Sequence, residues 1–238
     1  MNGFLKNFDV QIETLNRVYF ELLQPIEMHS SIKNWWVFGG GTALSMFHFG
    51  HRKSFDIDIF ITESQLFDFL NPKWYIDETA LFDKSDYRFD GLNHHIALKT
   101  KDEIKVDFIL NESIIKPPIK NTVLDLNYDL YYESVEDIIA KKVKWRKEDN
   151  LTRDIFDLAV AITKDESILQ NLLYSRFITF DDLKKLYSSL EKLDRVRYNL
   201  EIKLIEPQNE HYALLAKEAK DIILRSIDKI QLNTKIYI

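Results

Sequence analysis

The sequence predicts an α+β fold in two parts: a mixed sheet with flanking helices over residues 1–125, then a helical bundle over residues 126–238. Three observations predict it. Apolar and polar residues alternate with a period of two at 55–61 and again on both sides of a short polar break at 100–103, the signature of strands with one buried face. From residue 134 onward apolar residues recur at helical spacing instead. Between an aromatic run and a helical pattern stand three glycines, Gly39, Gly40 and Gly41, which read as a tight strand-to-helix turn.

Residues 9–30 form the first expected helix, with Val10, Leu15, Val18, Tyr19, Leu22 and Leu23 as its apolar stripe and Pro25 expected to end it. Trp35 to Phe38 reads as a short strand, and Thr42 to Phe49 as a helix stopped by Gly50. Phe55 to Ile61 reads as the next strand, with Asp56 and Asp58 on one face, roughly 6–7 Å apart at Cα. Glu63 to Leu70 reads as a helix capped by Thr62 and broken at Asn71-Pro72. Residues 73–92 read equally as strand edges or loop, and Gly91-Leu92-Asn93 as a turn. His94 to Lys99 and Ile104 to Leu110 make a hairpin in which Asp107 faces away from Val106 and Phe108, and Pro117-Pro118 is expected to end the strand region. Ser134 and Asp137 form a capping-box-like start for a helix from Val135 to Arg146. Further helices are expected over 152–163, 166–176, 180–193 and 209–231, with 195–205 open between helix and strand.

Composition narrows the class. The chain has 238 residues, 45% hydrophobic and 29% charged, as soluble globular proteins do. It has no cysteine, which excludes disulfides and zinc–thiolate sites and fits a reducing cytoplasm. No apolar run nears the ~20 residues of a membrane span, and the first residues do not read as a secretion signal. Net charge is −6, with 13 Lys/Arg against 18 Asp/Glu in residues 1–125 and 19 against 20 in 126–238. Such a chain does not coat nucleic acid indiscriminately, and any nucleic-acid contact is expected from the helical half.

The chemistry-bearing residues concentrate in residues 39–58. Glycines let backbone N–H groups approach a phosphate closely, and a helix start behind them favours an anion. Asp56 and Asp58 repel each other in a strand unless a cation relieves them, although an Asp-x-Asp pattern is also common on solvent faces. Arg52 and Ser54 stand between these features. Lys142 precedes Arg153-Asp154-x-x-Asp157, whose two aspartates lie one helical turn apart. A salt-bridged helix pair is the other reading of that motif.

Gly40-Gly41-Thr42-Ala43-Leu44, then His51-Arg52-x-Ser54-x-Asp56-x-Asp58, then Lys142 and Arg153-Asp154-x-x-Asp157, resemble the AbiEii-type nucleotidyltransferases. These are toxin components of abortive-infection and toxin–antitoxin systems within the polymerase-beta-like superfamily. The resemblance covers about residues 30–165 and implies a nucleotidyltransferase domain followed by the helical domain. It implies Mg2+ or Mn2+ held by Asp56, Asp58 and a third carboxylate, Asp107, and an NTP as substrate. Gly40, Gly41 and Thr42 would bind phosphates. Arg52, Ser54, Lys142, Arg153, Asp154 and Asp157 would serve the nucleotide, with Asp107 and Lys142 among the catalytic groups. His51 matches the family's loop histidine; the remaining histidines show no ligand spacing. The acceptor implied is tRNA or another RNA, with a cognate antitoxin as a further partner. The alternatives are a transferase acting on a small molecule and a non-catalytic nucleotide-binding or protein-interaction module. The sequence departs from the pattern at Gly39, a third glycine, which is expected to loosen the turn.

Overall fold

The computed structural model describes residues 5–91, 94–111 and 115–236, with side chains to residue 232. It divides into two compact units, Met1–Met46 with Ser54–Glu133, and Phe47–Lys53 with Ser134–Ile238. The expected boundary at 125/126 falls eight residues before this division at Glu133/Ser134.

Among the described residues the first unit is built on seven strands: β1 (Trp36–Gly39), β2 (Ile57–Ile61), β3 (Phe82–Asp90), β4 (His95–Thr100), β5 (Lys105–Leu110), β6 (Ile119–Lys120) and β7 (Tyr131–Tyr132). Their order is β3-β4-β5-β2-β1-β7-β6. The pairs β2–β5 and β1–β7 are parallel and the rest antiparallel, so the sheet is mixed. One face carries Trp36, Phe38, Ile57, Ile59, Ile61, Ile96, Leu98, Val106 and Phe108, all buried. Alternation along each strand sends Asp58, Asp107 and His95 to the other face. The sheet does not end at Pro117-Pro118: β6 and β7 follow. They are two residues each, too short for a period-two pattern to show. Within 73–92 the strand is β3, and the expected turn at Leu92 and Asn93 lies outside the described residues.

The N-terminal helix runs through Pro25. α1 (Asp9–Val18) passes into a π-helical turn, Tyr19–Leu23, and then α2 (Gln24–Ser30), with Pro25 in the first turn of α2. A wider turn next to a proline relieves the missing N–H and the ring clash that end an ordinary helix. The helix closes at Ser31, in the left-handed conformation at φ 60°. Val10, expected in the stripe, is exposed, while Leu15, Val18, Tyr19, Leu22 and Leu23 are buried. Glu27 of α2 accepts from Trp36 Nε1 and the Tyr19 hydroxyl, both at 3.3 Å, and ties this helix to β1. The helix near 63–70 is α4 (Ser64–Phe67) plus a 3-10 turn, and its N-cap residue is Glu63, one position after the expected Thr62. Before it comes α3 (Gly40–Ala43), continued by a π-helical segment, Leu44–Phe49.

The second unit is helical: α5 (Val135–Arg146), α6 (Thr152–Lys164), α7 (Ile168–Tyr174), α8 (Phe180–Glu191), α9 (Arg195–Glu201) and α10 (Glu210–Ile236). Ser134 Oγ accepts from Asp137 N–H at 3.1 Å and caps α5. Thr179 and Asp182 form a reciprocal capping box at α8. The open stretch at 195 is helix α9, started by Asp194, whose side chain accepts from Val196 and Arg197 N–H. α10 packs along α6 and against α8. No helix among the described residues is long and apolar enough to cross a membrane.

Candidate active site

Two of the three expected carboxylates are neighbours. β2 and β5 run in parallel with Asp58 opposite Asp107 and Ile57 opposite Val106. The two aspartates therefore share a face, with backbones about 4.8 Å apart. Asp107 is 4% exposed. Its Oδ1 lies 2.7 Å from His95 Nε2 and its Oδ2 2.7 Å from Lys105 Nζ. Asp56 immediately precedes β2, whose pairing begins at Ile57. Thr42 Oγ1 donates to the Asp56 carbonyl and lies 2.8 Å from Ser54 Oγ. Both hydroxyls are thus used to brace the backbone that carries Asp56.

The glycines are dictated by what surrounds them. Gly40 has φ +68°, and a Cβ there would fall 1.8 Å from Asp58 Oδ2. Gly39 is extended, at φ −144°, and is the last residue of β1, opposite Asp58. It does not loosen the turn, as the sequence led us to expect. It is glycine because a Cβ would fall 2.1 Å from Glu133 Oε2 and 2.5 Å from the Phe60 ring. Gly40 N–H donates to Glu133 Oε2 at 3.4 Å. Gly40→Ala meets both a left-handed backbone and a carboxylate in its way, so it is expected to destabilise by about 1–3 kcal/mol. Gly41→Ala, at φ in the ordinary range, is the paired control; equal urea midpoints for the two variants would contradict this account.

Among the described residues, no three His, Cys, Asp or Glu side chains already converge on a point where a metal ion would sit. An adjacent pair of hard oxygen ligands is nevertheless the donor set that suits Mg2+. That ion keeps several waters and is commonly held by one or two carboxylates together with substrate phosphates. Asp58 and Asp107 fit it in that sense. Lys105, half exposed, puts an ammonium beside Asp107 and shows that the carboxylate accepts a cationic neighbour.

The other expected nucleotide ligands lie in the second unit and are engaged with one another. Arg52 grips Asp157 with Nε at 2.6 Å and Nη2 at 2.9 Å. Lys142 pairs with Asp154 and, at 3.0 Å, with Asp157. Arg146 Nη1 is 3.1 Å from Asp154, and His51 Nε2 is 2.8 Å from Asp157. Arg52, Lys142, Asp154, Asp157 and His51 are all buried. The cavity beside Lys142 and Asp154 measures about 20 Å³, room for about one water. Arg153, by contrast, is exposed on α6. Burial pushes the Asp157 carboxyl up, but Arg52 and Lys142 override it and hold the group well below the usual carboxylate range. Asp154 is lowered likewise, burial being outweighed by Lys142 and Arg146. Burial lowers His51, against the pull of Asp157; its Nδ1 meets no hydrogen-bond partner among the described residues, so protonation would bury an unpaired donor.

These directions fix an acid response. His51, lowered in the folded state, takes up a proton more readily when unfolded, so stability falls as pH drops below the unfolded value of about 6.5. Asp154 and Asp157, depressed in the folded state, add stability that is complete above their unfolded value near 4 and lost as pH falls through the folded values. Urea midpoints are expected to decline gently from pH 7 to 5 and steeply below 4. His51→Phe is expected to flatten the first part only.

A glycine turn thus closes one strand, a carboxylate stands near the start of the next, and a second carboxylate lies across a parallel partner in the mixed sheet. The model of the family described as nucleotidyl transferase AbiEii toxin, type IV toxin–antitoxin system, matches residues 21–227. The chain belongs to this family and is a nucleotidyltransferase. Among solved structures it is similar to JHP933 from Helicobacter pylori, at 19% identity and a TM-score of 0.42 over 94% of this chain and 97% of that one. It is also similar to MenT4, a nucleotidyltransferase toxin from Mycobacterium tuberculosis, at 13% identity and a TM-score of 0.48 over 92% of this chain and 84% of that one. No curated protein matches it.

Three residues of the site face escaped the sequence reading. Lys105 was within reach of it, because i and i+2 on a strand share a face and Lys105 stands two before Asp107. His95 required the hairpin register. Glu133, 93 positions from Gly40, left no local signal.

Proposed function

We propose that the protein transfers a nucleotide from an NTP to an acceptor hydroxyl with the help of a divalent cation, and that the acceptor is RNA, tRNA being the first candidate. The observation that carries the reading is the direct pairing of Asp58 with Asp107 across parallel strands, beside a glycine turn whose Gly40 N–H already holds an anionic oxygen. Asp58 and Asp107, with Asp56 at the edge, would hold Mg2+ or Mn2+. The bound cation would supply charge neutralisation for the triphosphate and the leaving pyrophosphate. Gly40 and Gly41 offer N–H groups to the phosphates. Thr42 and Ser54 keep Asp56 in place. Asp107 takes the proton of the attacking hydroxyl as the new O–P bond forms and the α–β phosphate bond breaks. Little else is asked of the protein than position and charge.

Burial and mutual pairing favour Arg52, Lys142, Asp154 and Asp157 as positioning residues, which fix the segment leading into Ser54 and Asp56. Exposure of Arg153 on α6 supports assigning it, of that motif, to nucleotide or acceptor contact. A family of toxin–antitoxin proteins also implies a cognate antitoxin.

The test is incubation with each labelled NTP, Mg2+ or Mn2+, and separated RNA, protein and metabolite fractions. Label in tRNA supports the reading. Label confined to metabolites makes the enzyme a small-molecule transferase, and no label with any fraction leaves a binding module.

A further inference from the structure

We propose that the Glu133 carboxylate is a built-in occupant of the phosphate-binding turn, displaced by the triphosphate when a nucleotide binds. The proposal rests on the nucleotidyltransferase reading of this site. Glu133 is 5% exposed, and its Oε2 accepts from Gly40 N–H, the amide that the turn would offer to phosphate. The strand is shaped around that carboxylate: Gly39 has no room for a Cβ because Glu133 Oε2 would lie 2.1 Å from it. The position is therefore a built one.

The same geometry makes the carboxylate displaceable. Its contact with Gly40 is 3.4 Å, long beside the 2.7–3.2 Å of ordinary N–H···O bonds. Asp58 Oδ2 crowds the same glycine, so two like charges flank one residue and each weakens the other's hold. The Glu133 backbone is anchored separately, its N–H donating to the Phe38 carbonyl at 2.9 Å. A triphosphate arriving with its cation brings negative oxygen to Gly40 and positive charge to Asp58, which favours the exchange. Glu133 acts in this account as a positioning residue that raises the concentration of nucleotide needed to fill the site.

An internal competitor lowers apparent affinity by the fraction of time the site is open. If Glu133 holds the amide nine-tenths of the time, the apparent Kd is about tenfold weaker than the intrinsic one. The experiment measures binding of inorganic triphosphate with and without Mg2+ by calorimetry, and KM and kcat for labelled NTP, in the wild type, Glu133→Gln and Glu133→Ala. The glutamine is nearly isosteric and keeps the fold even if alanine does not. Expected is a Kd for triphosphate and a KM for NTP both lowered by about tenfold, with kcat little changed. Unchanged or weaker binding in Glu133→Gln overturns the proposal; weaker binding only in the presence of Mg2+ would make Glu133 a cation ligand instead. Wild type that binds triphosphate, unaltered by either substitution, removes this proposal alone. Failure of all three proteins to bind triphosphate removes the nucleotidyltransferase reading of the site along with it.

Discussion

Asp58→Asn is expected to abolish nucleotide transfer while leaving the melting temperature unchanged or raised. The substitution keeps the shape of the side chain and removes one charge. In the folded protein Asp58 lies opposite Asp107 and against Gly40, so removing its charge lessens the repulsion between neighbouring carboxylates. In the reaction the same charge would hold the cation. Loss of one preorganised electrostatic contact typically costs about 10²–10³ in rate, and loss of a cation ligand at least that. Labelled-NTP transfer and thermal unfolding, run on the same preparation, separate the two effects. Wild-type turnover in Asp58→Asn would remove the carboxylate pair from the chemistry.

Asp157→Ala is expected to be the most destabilising substitution in the second unit, by about 3–5 kcal/mol. Asp157 is fully buried and is the point where Arg52, Lys142 and His51 meet. Its removal leaves a buried guanidinium without its bidentate partner. Lys142→Ala is expected to act in the same direction, because it strips Asp154 and Asp157 of an ammonium that is 7% exposed. Lys53→Ala, breaking the half-exposed pair with Glu206, is the surface control at about 0–1 kcal/mol. Urea unfolding reads all three. If Lys142→Ala unfolds like the Lys53 variant yet cannot use NTP, the lysine is a nucleotide ligand and the positioning role assigned to it is wrong.

The two halves of that motif show where sequence reading reaches and where it stops. Asp154 and Asp157 were legible as one helical face, since i and i+3 are neighbours on any helix. That Arg52, 105 positions earlier, closes on Asp157 with both nitrogens was not, because the sequence carries no term for a partner so distant. From their types these residues read as nucleotide ligands or as a salt-bridged helix pair, and their surroundings make them an ion-pair network. Pro25 makes the same point at smaller scale: the proline is a helix stop by rule, and the preceding π-helical turn lets the helix pass it.

By itself the sequence determined the alternation of β2, β4 and β5, the helical second half with the Ser134 cap that opens it, and the motifs that mark the family. These are written in residues within a few positions of one another, where backbone geometry alone fixes which side chains share a face. The tertiary structure decided that Asp107 meets Asp58, that Gly39 yields space to Glu133, and that Lys142 is buried among carboxylates. Each of these depends on strand register or on contacts across tens of residues, and such contacts are selected by the packing of the whole chain rather than by any local preference.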